Sequence, residues 1–224
     1  EDFRERAKYH ANIGRFLRIH DRWSEEVCYT PAPGAEEYEP NDFFGGDANG
    51  IREKLGYLES LGVTSIYLNP VFESASNHRY DTADYHRIDP IFGSEDDFRA
   101  LCAEAKAHGI RIMLDGVFSH TGADSRYFDK FSRYDDIGAY ESDDSPYKSW
   151  YRFAGDRKHY DSWWGFPSLP NVNELEPGYT DFIAGEHGVL SHWAEDGATS
   201  WRLDVADELP DEFIRVLRKR LKQN

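Results

Sequence analysis

The sequence predicts an α/β fold and, within that class, a partial (β/α)8 barrel. Three observations carry this. Helix and strand patterns alternate along the chain, and strict alternation means a parallel sheet with right-handed crossovers. Polar residues close the predicted strands, at Asn69, Asp115 and Asp204, and barrels keep their chemistry at C-terminal strand ends. A doubly wound nucleotide binder would also alternate, but no Gly-x-Gly-x-x-Gly opens a helix and no Gly-Lys-Ser/Thr loop is present.

Taken in order, Asp2 to Arg18 has helical character and Thr30-Pro31-Ala32-Pro33-Gly34 is a loop. Phe43-Phe44-Gly45-Gly46-Asp47 leads into a helix from about Gly50 to Leu61. Ile51, Leu55 and Leu58 fall at helical spacing there, with Asp47 or Asn49 as cap and Gly62 as terminator. Val63 to Asn69 is a strand stopped by Pro70, and a polar loop runs on to Gly93. Ser94 caps a helix of about fourteen residues, with Glu95, Asp96 and Asp97 in its first turn where the dipole favours acids. Its apolar face carries Phe98, Leu101, Cys102 and Ala105, and Gly109 ends it. Ile110 to Asp115 is the next strand, with Ile110, Ile112 and Leu114 on one face. Gly116 to about Pro177 is rich in Tyr, Trp, Phe, Asp and Ser and too long for a plain loop. A helical region interrupted at Gly185 and Gly188 spans Tyr179 to Glu195, a strand follows Gly197-Ala198-Thr199, and a final helix runs from Pro210 to Lys222.

At 224 residues with 39% hydrophobic content the chain can bury a real core, in one domain or one with a large insertion. A formal net charge of −16 argues against nucleic acid or anionic membrane as partner, since both demand clustered Lys and Arg. No apolar run approaches the roughly 20 residues of a membrane span, and no charged-then-apolar leader opens the sequence. Cys28 and Cys102 make neither a disulfide framework nor a metal cluster, so a reducing cytoplasm is the expected compartment. An aromatic content of 15% exceeds what a core needs, and the excess suggests a surface that stacks on flat faces such as sugar rings.

The most informative stretch is Ser200 to Glu208. Period-two alternation puts Trp201 and Leu203 on one face of a short strand, Arg202 and Asp204 on the other. A charged pair on an otherwise apolar strand is unusual, because burying unpaired charge is costly. Two readings fit: a structural ion pair at a strand end, or a carboxylate nucleophile, Asp204, that Arg202 keeps ionised and aimed. Arg-x-Asp-x-Ala-Asp-Glu at a strand end resembles the nucleophile motif of the α-amylase family of glycoside hydrolases. Its Ala-Asp-Glu tail resembles the neopullulanase and cyclomaltodextrinase branch. The resemblance implies a TIM-barrel catalytic domain in which Asp204 is the nucleophile, with Asp207 and Glu208 contacting substrate beyond the cleaved bond.

Three further segments extend the resemblance over roughly Asp42 to Lys222. Asp115-Gly116-Val117-Phe118-Ser119-His120 resembles the family's Asp-x-Val-x-Asn-His, which implies that Asp115 braces Arg202 and that His120 hydrogen-bonds a hydroxyl of the sugar in the scissile subsite. By residue type alone, a His at a loop start is an ordinary hydrogen-bonding residue. Ser76-Asn77-His78-Arg79-Tyr80-Asp81-Thr82-Ala83-Asp84-Tyr85 reads equally as a polar loop, but resembles a neopullulanase-like segment whose first Tyr, here Tyr80, stacks on the sugar where the bond breaks. An aromatic face suits an oxocarbenium-like transition state. Ser168-Leu169-Pro170-Asn171-Val172-Asn173 resembles Leu/Met-Pro-x-Leu-Asn. Ser119 and Asn171 replace an Asn and an Asp that often bind calcium in the family. Hard cations want several oxygen ligands, so neither calcium nor any other cofactor is expected. The long excursion lies where the family inserts a small extra domain after the third barrel strand. The expected division is therefore a barrel part, 1–115 and 178–224, and an insert, 116–177, over the active site, with Trp150, Tyr151, Trp163, Trp164 and Phe166 as candidates to line the groove.

The implied reaction is retaining hydrolysis of α-glucosidic bonds in maltodextrins, cyclodextrins or related α-glucans, which needs two carboxyl groups about 5–5.5 Å apart. In the family the second is a Glu closing a strand that would lie beyond Asn224. The family's opening strand is not recognisable before Phe43, Gly14-Arg15-Phe16 being at most a remnant. The expectation is about the first half of a barrel, without its general acid and inactive alone. A transglycosylase would share the glycosyl-enzyme intermediate and differ in its products with an acceptor sugar. A non-catalytic carbohydrate-binding or interaction module is the remaining alternative, and the joint presence of Arg202, Asp204, Asp115 and His120 weighs against it. The expected partners are α-glucan oligosaccharides, with assembly into a homo-oligomer left open.

Overall fold

The computed structural model describes residues 3–34, 38 and 40–223. Helix α1 (Phe3–Asn12) opens it, followed by β1 (Arg18–Ile19), which pairs in parallel with β2 (Asp42–Phe43). The predicted first helix is therefore cut short after Asn12, because Gly14 turns the chain at φ +81° and Arg18 is already extended. Asp2, where that helix was to begin, lies outside the described residues. Strand β1 also supplies the pairing partner for Phe43 that Gly14-Arg15-Phe16 did not reveal in the sequence. Arg15, buried just before it, ties this segment to the body. Its guanidinium donates to Asp124 Oδ2 at 2.7 Å, Glu73 Oε1 at 3.0 Å and the Tyr134 hydroxyl at 2.9 Å.

The helix expected over Gly50–Leu61 is two, α2 (Ala48–Arg52) and α3 (Leu55–Ser60). Asp47 caps the first, its side chain accepting from Gly50 N. Gly50 and Gly56 weaken helical continuity through their backbone freedom. After β3 (Ser65–Tyr67) the predicted polar loop contains a hairpin, β4 (Phe72–Ser74) and β5 (Thr82–Ile88), antiparallel with register shifts. Its polar residues are buried by pairing rather than solvated: Asp84 meets Arg126 at 2.7 Å and Glu73 meets Arg15. That is why the segment reads as a loop.

Helix α4 (Glu95–Ala107) has the Ser94–Asp97 capping box, in which the Ser94 side chain accepts from Asp97 N and the Asp97 side chain from Ser94 N. Gly109 releases the chain at φ +69° into β6 (Arg111–Gly116). Helices α5 (Pro177–Ala184) and α6 (Val189–Glu195), then β7 (Ser200–Leu203) and α7 (Asp211–Leu221), complete the order. The central sheet is parallel, β3-β6-β7. Ile110, Ile112 and Leu114 are buried in one core with Phe98, Leu101, Cys102 and Ala105 of α4. Trp201 leaves that sheet on the same side as the core, its ring 5.7 Å from Phe118 and 6.1 Å from Phe72.

Between the end of β6 and the start of α5, residues 117–176 form turns, isolated antiparallel bridges and two 3-10 turns, Lys148–Trp150 and Trp163–Gly165. Their interior is aromatic, with Tyr127 against Trp150 at 5.4 Å and Phe128 against Tyr151 at 4.9 Å, and it is continuous with the sheet's core. Among the described residues no helix is long and apolar enough to cross a membrane.

Candidate active site

The register of the parallel sheet makes the site. Asp115 of β6 pairs directly with Arg202 of β7, and a slip of one residue would send one of them into the apolar layer. Arg202 Nη1 donates to both Asp115 oxygens, at 3.0 and 3.1 Å, and to Asp204 Oδ1 at 2.7 Å. Burial alone would weaken the guanidinium's hold on its proton, but the hydrogen bonds and charges of Asp115, then of Asp204, raise its pKa above the ordinary value. Asp204 Oδ2 makes no hydrogen bond among the described residues, while the Asp204 amide is pinned to Gly116 O at 3.0 Å. One carboxylate oxygen is thus held and the other left available at the sheet's C-terminal edge.

Asp115 is closed on every side. Beyond Arg202, Oδ2 accepts from the Tyr67 hydroxyl and from the Tyr80 hydroxyl at 3.1 Å. Burial and the Asp115 contact push the Tyr67 phenol well above its usual pKa, so it stays a donor. The loop bearing Tyr80 is organised by Asp81, which accepts from Ser74 Oγ at 2.5 Å, from Ser76 N at 3.2 Å and from Ser76 Oγ. His120, buried beside Tyr80, has Nε2 against the Tyr80 carbonyl at 3.2 Å and Nδ1 against Ser119 Oγ at 2.9 Å. A carbonyl only accepts, so Nε2 carries the proton and the serine hydroxyl donates to Nδ1. Burial pushes the His120 pKa down to about 4, only partly offset by the Tyr80 carbonyl.

Past Asp204 the chain turns sharply. Val205 takes φ +40°, a costly conformation for a β-branched residue, and its carbonyl accepts from Glu208 N at 2.8 Å. Asp207 is exposed with no described partner. Glu208 accepts from the indole N–H of Trp163 and of Trp164, both at 3.0 Å.

The sequence-predicted set is therefore gathered in large part: Arg202, Asp204, Asp115 and Tyr80 are linked by hydrogen bonds, and His120 joins them through Tyr80. Asn69 does not join; it is exposed, two residues beyond β3. Sequence reasoning missed Tyr67, although its place at the C-terminal end of β3 was a usable signal. It also missed the engagement of Glu208 with the two tryptophans, which only the tertiary fold brings together.

Ser119 and Asn171 line a cavity of about 180 Å³ together with Arg152, Asp161, Val172, Glu174 and Glu208, the last with both oxygens held by the indole N–H groups of Trp163 and Trp164. Its donor set does not suit a hard cation. The Arg152 guanidinium already supplies positive charge, burial raises the Glu174 pKa, and no group of three His, Cys, Asp or Glu is disposed around a common point among the described residues.

A parallel α/β sheet with its polar cluster at the C-terminal strand ends is the arrangement of a barrel-class site. Within that class the chain belongs to the α-amylase family of glycoside hydrolases, matching the family's catalytic domain over residues 15–220. It is 42% identical over 221 residues to an amylopullulanase of Thermoanaerobacterium saccharolyticum, covering 88% of this chain and 17% of that protein. With a cyclomaltodextrinase of Geobacillus thermopakistaniensis the identity is 37% over 199 residues, covering 84% of this chain and 32% of that protein. The type III pullulan hydrolase from Thermococcus kodakarensis superposes with a TM-score of 0.76 at 35% identity, over 92% of this chain and 34% of that one. These structural neighbours are consistent with a partial barrel, and the chain spans well under half the length of each of these relatives.

Proposed function

We propose that the chain carries the nucleophile side of a retaining glycoside hydrolase acting on α-glucosidic bonds of maltodextrins, cyclodextrins, pullulan or related α-glucans. The observation that carries this reading is the Arg202 bridge, which holds Asp204 by one oxygen and leaves Oδ2 open at the sheet's C-terminal edge. In the first displacement Oδ2 attacks the anomeric carbon as the C–O bond to the leaving sugar breaks on the opposite face, its oxygen taking a proton from the second carboxyl group of the pair; that group then accepts a proton from the water that cleaves the glycosyl ester and frees Asp204. Arg202 restrains the nucleophile, and the Tyr80 ring, fixed through Asp115, offers its face to the positive charge that develops on the sugar. Asp115 is not a proton donor in this scheme, because Arg202, Tyr67 and Tyr80 occupy its oxygens. The 224-residue chain accordingly holds half of the carboxyl pair and does not turn over maltodextrins on its own. Residues 116–177 act as the insert covering the site, a role supported by His120, Trp163 and Trp164 facing it. Calcium is not required, because the cavity lined by Ser119 and Asn171 fits it poorly. The setting is a reducing cytoplasm, a reading supported by Cys28 and Cys102 both being free thiols.

The test uses a fluorinated α-glucosyl fluoride, whose fluoride leaves without protonation. Intact-mass analysis should show one glycosyl unit added and peptide mapping should place it on Asp204, with no adduct in Asp204→Asn. An adduct elsewhere, or equal labelling of the Asn variant, would refute the assignment.

A further inference from the structure

Tyr80 is held at its hydroxyl by Asp115 and at its carbonyl by His120. The residue before it, Arg79, sits in the left-handed region at φ +60°, a conformation that persists for a long side chain only where its surroundings enforce it. Its amide donates to Ser76 Oγ at 3.1 Å, and its largely buried guanidinium has Nε 3.4 Å from Asp89 Oδ2. Arg79 precedes β5 and the buried Asp89 follows it, so this ion pair ties the two ends of the strand together.

The other oxygen of Asp89 reaches α1. Oδ1 accepts from Ile91 N at 2.9 Å and lies 3.1 Å from His10 Nε2, while Nδ1 of the same ring lies 3.1 Å from Arg15 Nη1. A guanidinium only donates, so Nδ1 accepts and Nε2 carries the proton toward Asp89. In α1 the buried residues are Ala7 and His10, and Ala7 belongs to a small apolar cluster with Phe43 and Ile91. An apolar residue in place of His10 would dock the helix without the cost of burying a polar ring. A histidine set between two charges therefore points to orientation rather than adhesion.

We propose that α1 is a positioning element of the site: His10, oriented by Arg15, steadies the Asp89 carboxylate, which holds Arg79 in the turn that presents the Tyr80 ring. His10, Asp89 and Arg79 are positioning residues that act through Tyr80. The proposal rests on the nucleophile reading of Asp204. A ring fixed before the reaction loses little freedom when positive charge develops on the sugar. Without His10, Oδ1 keeps only the Ile91 amide, the carboxylate can rotate, and the strained turn at Arg79 relaxes.

The test follows the rate at which the fluorinated α-glucosyl fluoride labels Asp204 of the 224-residue chain, over a range of concentrations that separates the saturating rate from the half-saturating concentration. His10→Ala, His10→Gln and Arg79→Gln are each made alone and in a Tyr80→Ala background, and folding is checked by circular dichroism. His10→Ala is expected to lower the saturating rate roughly three- to tenfold, with a smaller change in half-saturation, because the ring face acts on the charge of the transition state. His10→Gln, whose amide can donate to Asp89 and accept from Arg15 at once, should recover most of the loss. With Tyr80 already replaced by Ala, His10→Ala should slow labelling no further. Arg79→Gln should reproduce the ring-dependent loss from the other end of the link, and it decides the matter if His10→Ala does not fold. A folded His10→Ala that labels at the unmutated rate, or equal slowing with and without the Tyr80 ring, overturns the role of α1 and leaves the nucleophile reading standing. Absence of labelling in the unmutated chain overturns both.

Discussion

His120 shows how one buried ring couples the site to pH. It is 1% exposed and neutral, with a pKa near 4 in the folded chain against about 6.5 when unfolded. Between those values the unfolded chain binds a proton that the folded chain refuses, so stability falls as pH drops from about 6.5 to 4 and levels off below. The loss is on the order of 3 kcal/mol. Urea unfolding of the wild type should show this slope, and His120→Gln should flatten it. Arg202 acts in a different way. Its side chain is 41% exposed but that of its partner Asp115 is fully buried, so Arg202→Met leaves a buried carboxylate short of its counter-charge and should cost about 3–5 kcal/mol of stability. Labelling of Asp204 should fall as well, because the carboxylate is then free to turn away. Positive φ at Arg79, Trp164 and Val205, three of the five such non-glycine residues among those described, places backbone strain next to Tyr80, within the indole pair and next to Asp204. Strain of this kind persists only where surrounding contacts enforce it.

At the level of elements, those with clean periodicity were legible. The apolar face of α4 and the alternation of β6 and β7 appear where Phe98, Leu101, Ile112, Leu114 and Trp201 implied, because burial on one side writes a repeating pattern. The β4–β5 hairpin was hidden for the opposite reason. Glu73, Asp84 and Asp89 are buried on it through ionic partners, and residue type alone cannot distinguish a paired carboxylate from a solvated one. The same cluster predicts how α1 is held. Arg15→Met leaves Glu73 and Asp124 short of a buried counter-charge, and should cost about 3–5 kcal/mol. Limited proteolysis would then cut preferentially between α1 and β1. Undiminished resistance in a variant shown to be folded would mean that apolar contacts of Phe3 and Ala7 carry the docking instead.

For the whole molecule, the site was more legible than its surroundings. Arg202, Asp204 and Asp115 lie on neighbouring strands whose register brings them together, so three residues far apart in sequence could be joined on paper. Glu208 and the Trp163–Trp164 pair are joined by the irregular segment 116–177, which has no period to read. The ill-fitting donor set beside Ser119 leads to a global expectation: chelation with EDTA leaves the melting temperature unchanged, and a drop of several degrees on chelation would show a bound cation. The two sulfurs differ sharply in setting. Cys102 is buried, its thiol pushed up to about 12 by burial and then by Asp196, and a Cβ at Gly197 would approach its Cβ to 2.7 Å. Cys28 is half-exposed beside Thr30, whose hydrogen bond lowers its thiol pKa. An alkylating reagent at neutral pH therefore finds one ready target and one silent one. The silent one reacts only once α4 has parted from the turn before β7, making its modification rate a built-in clock for the opening of the protein's centre.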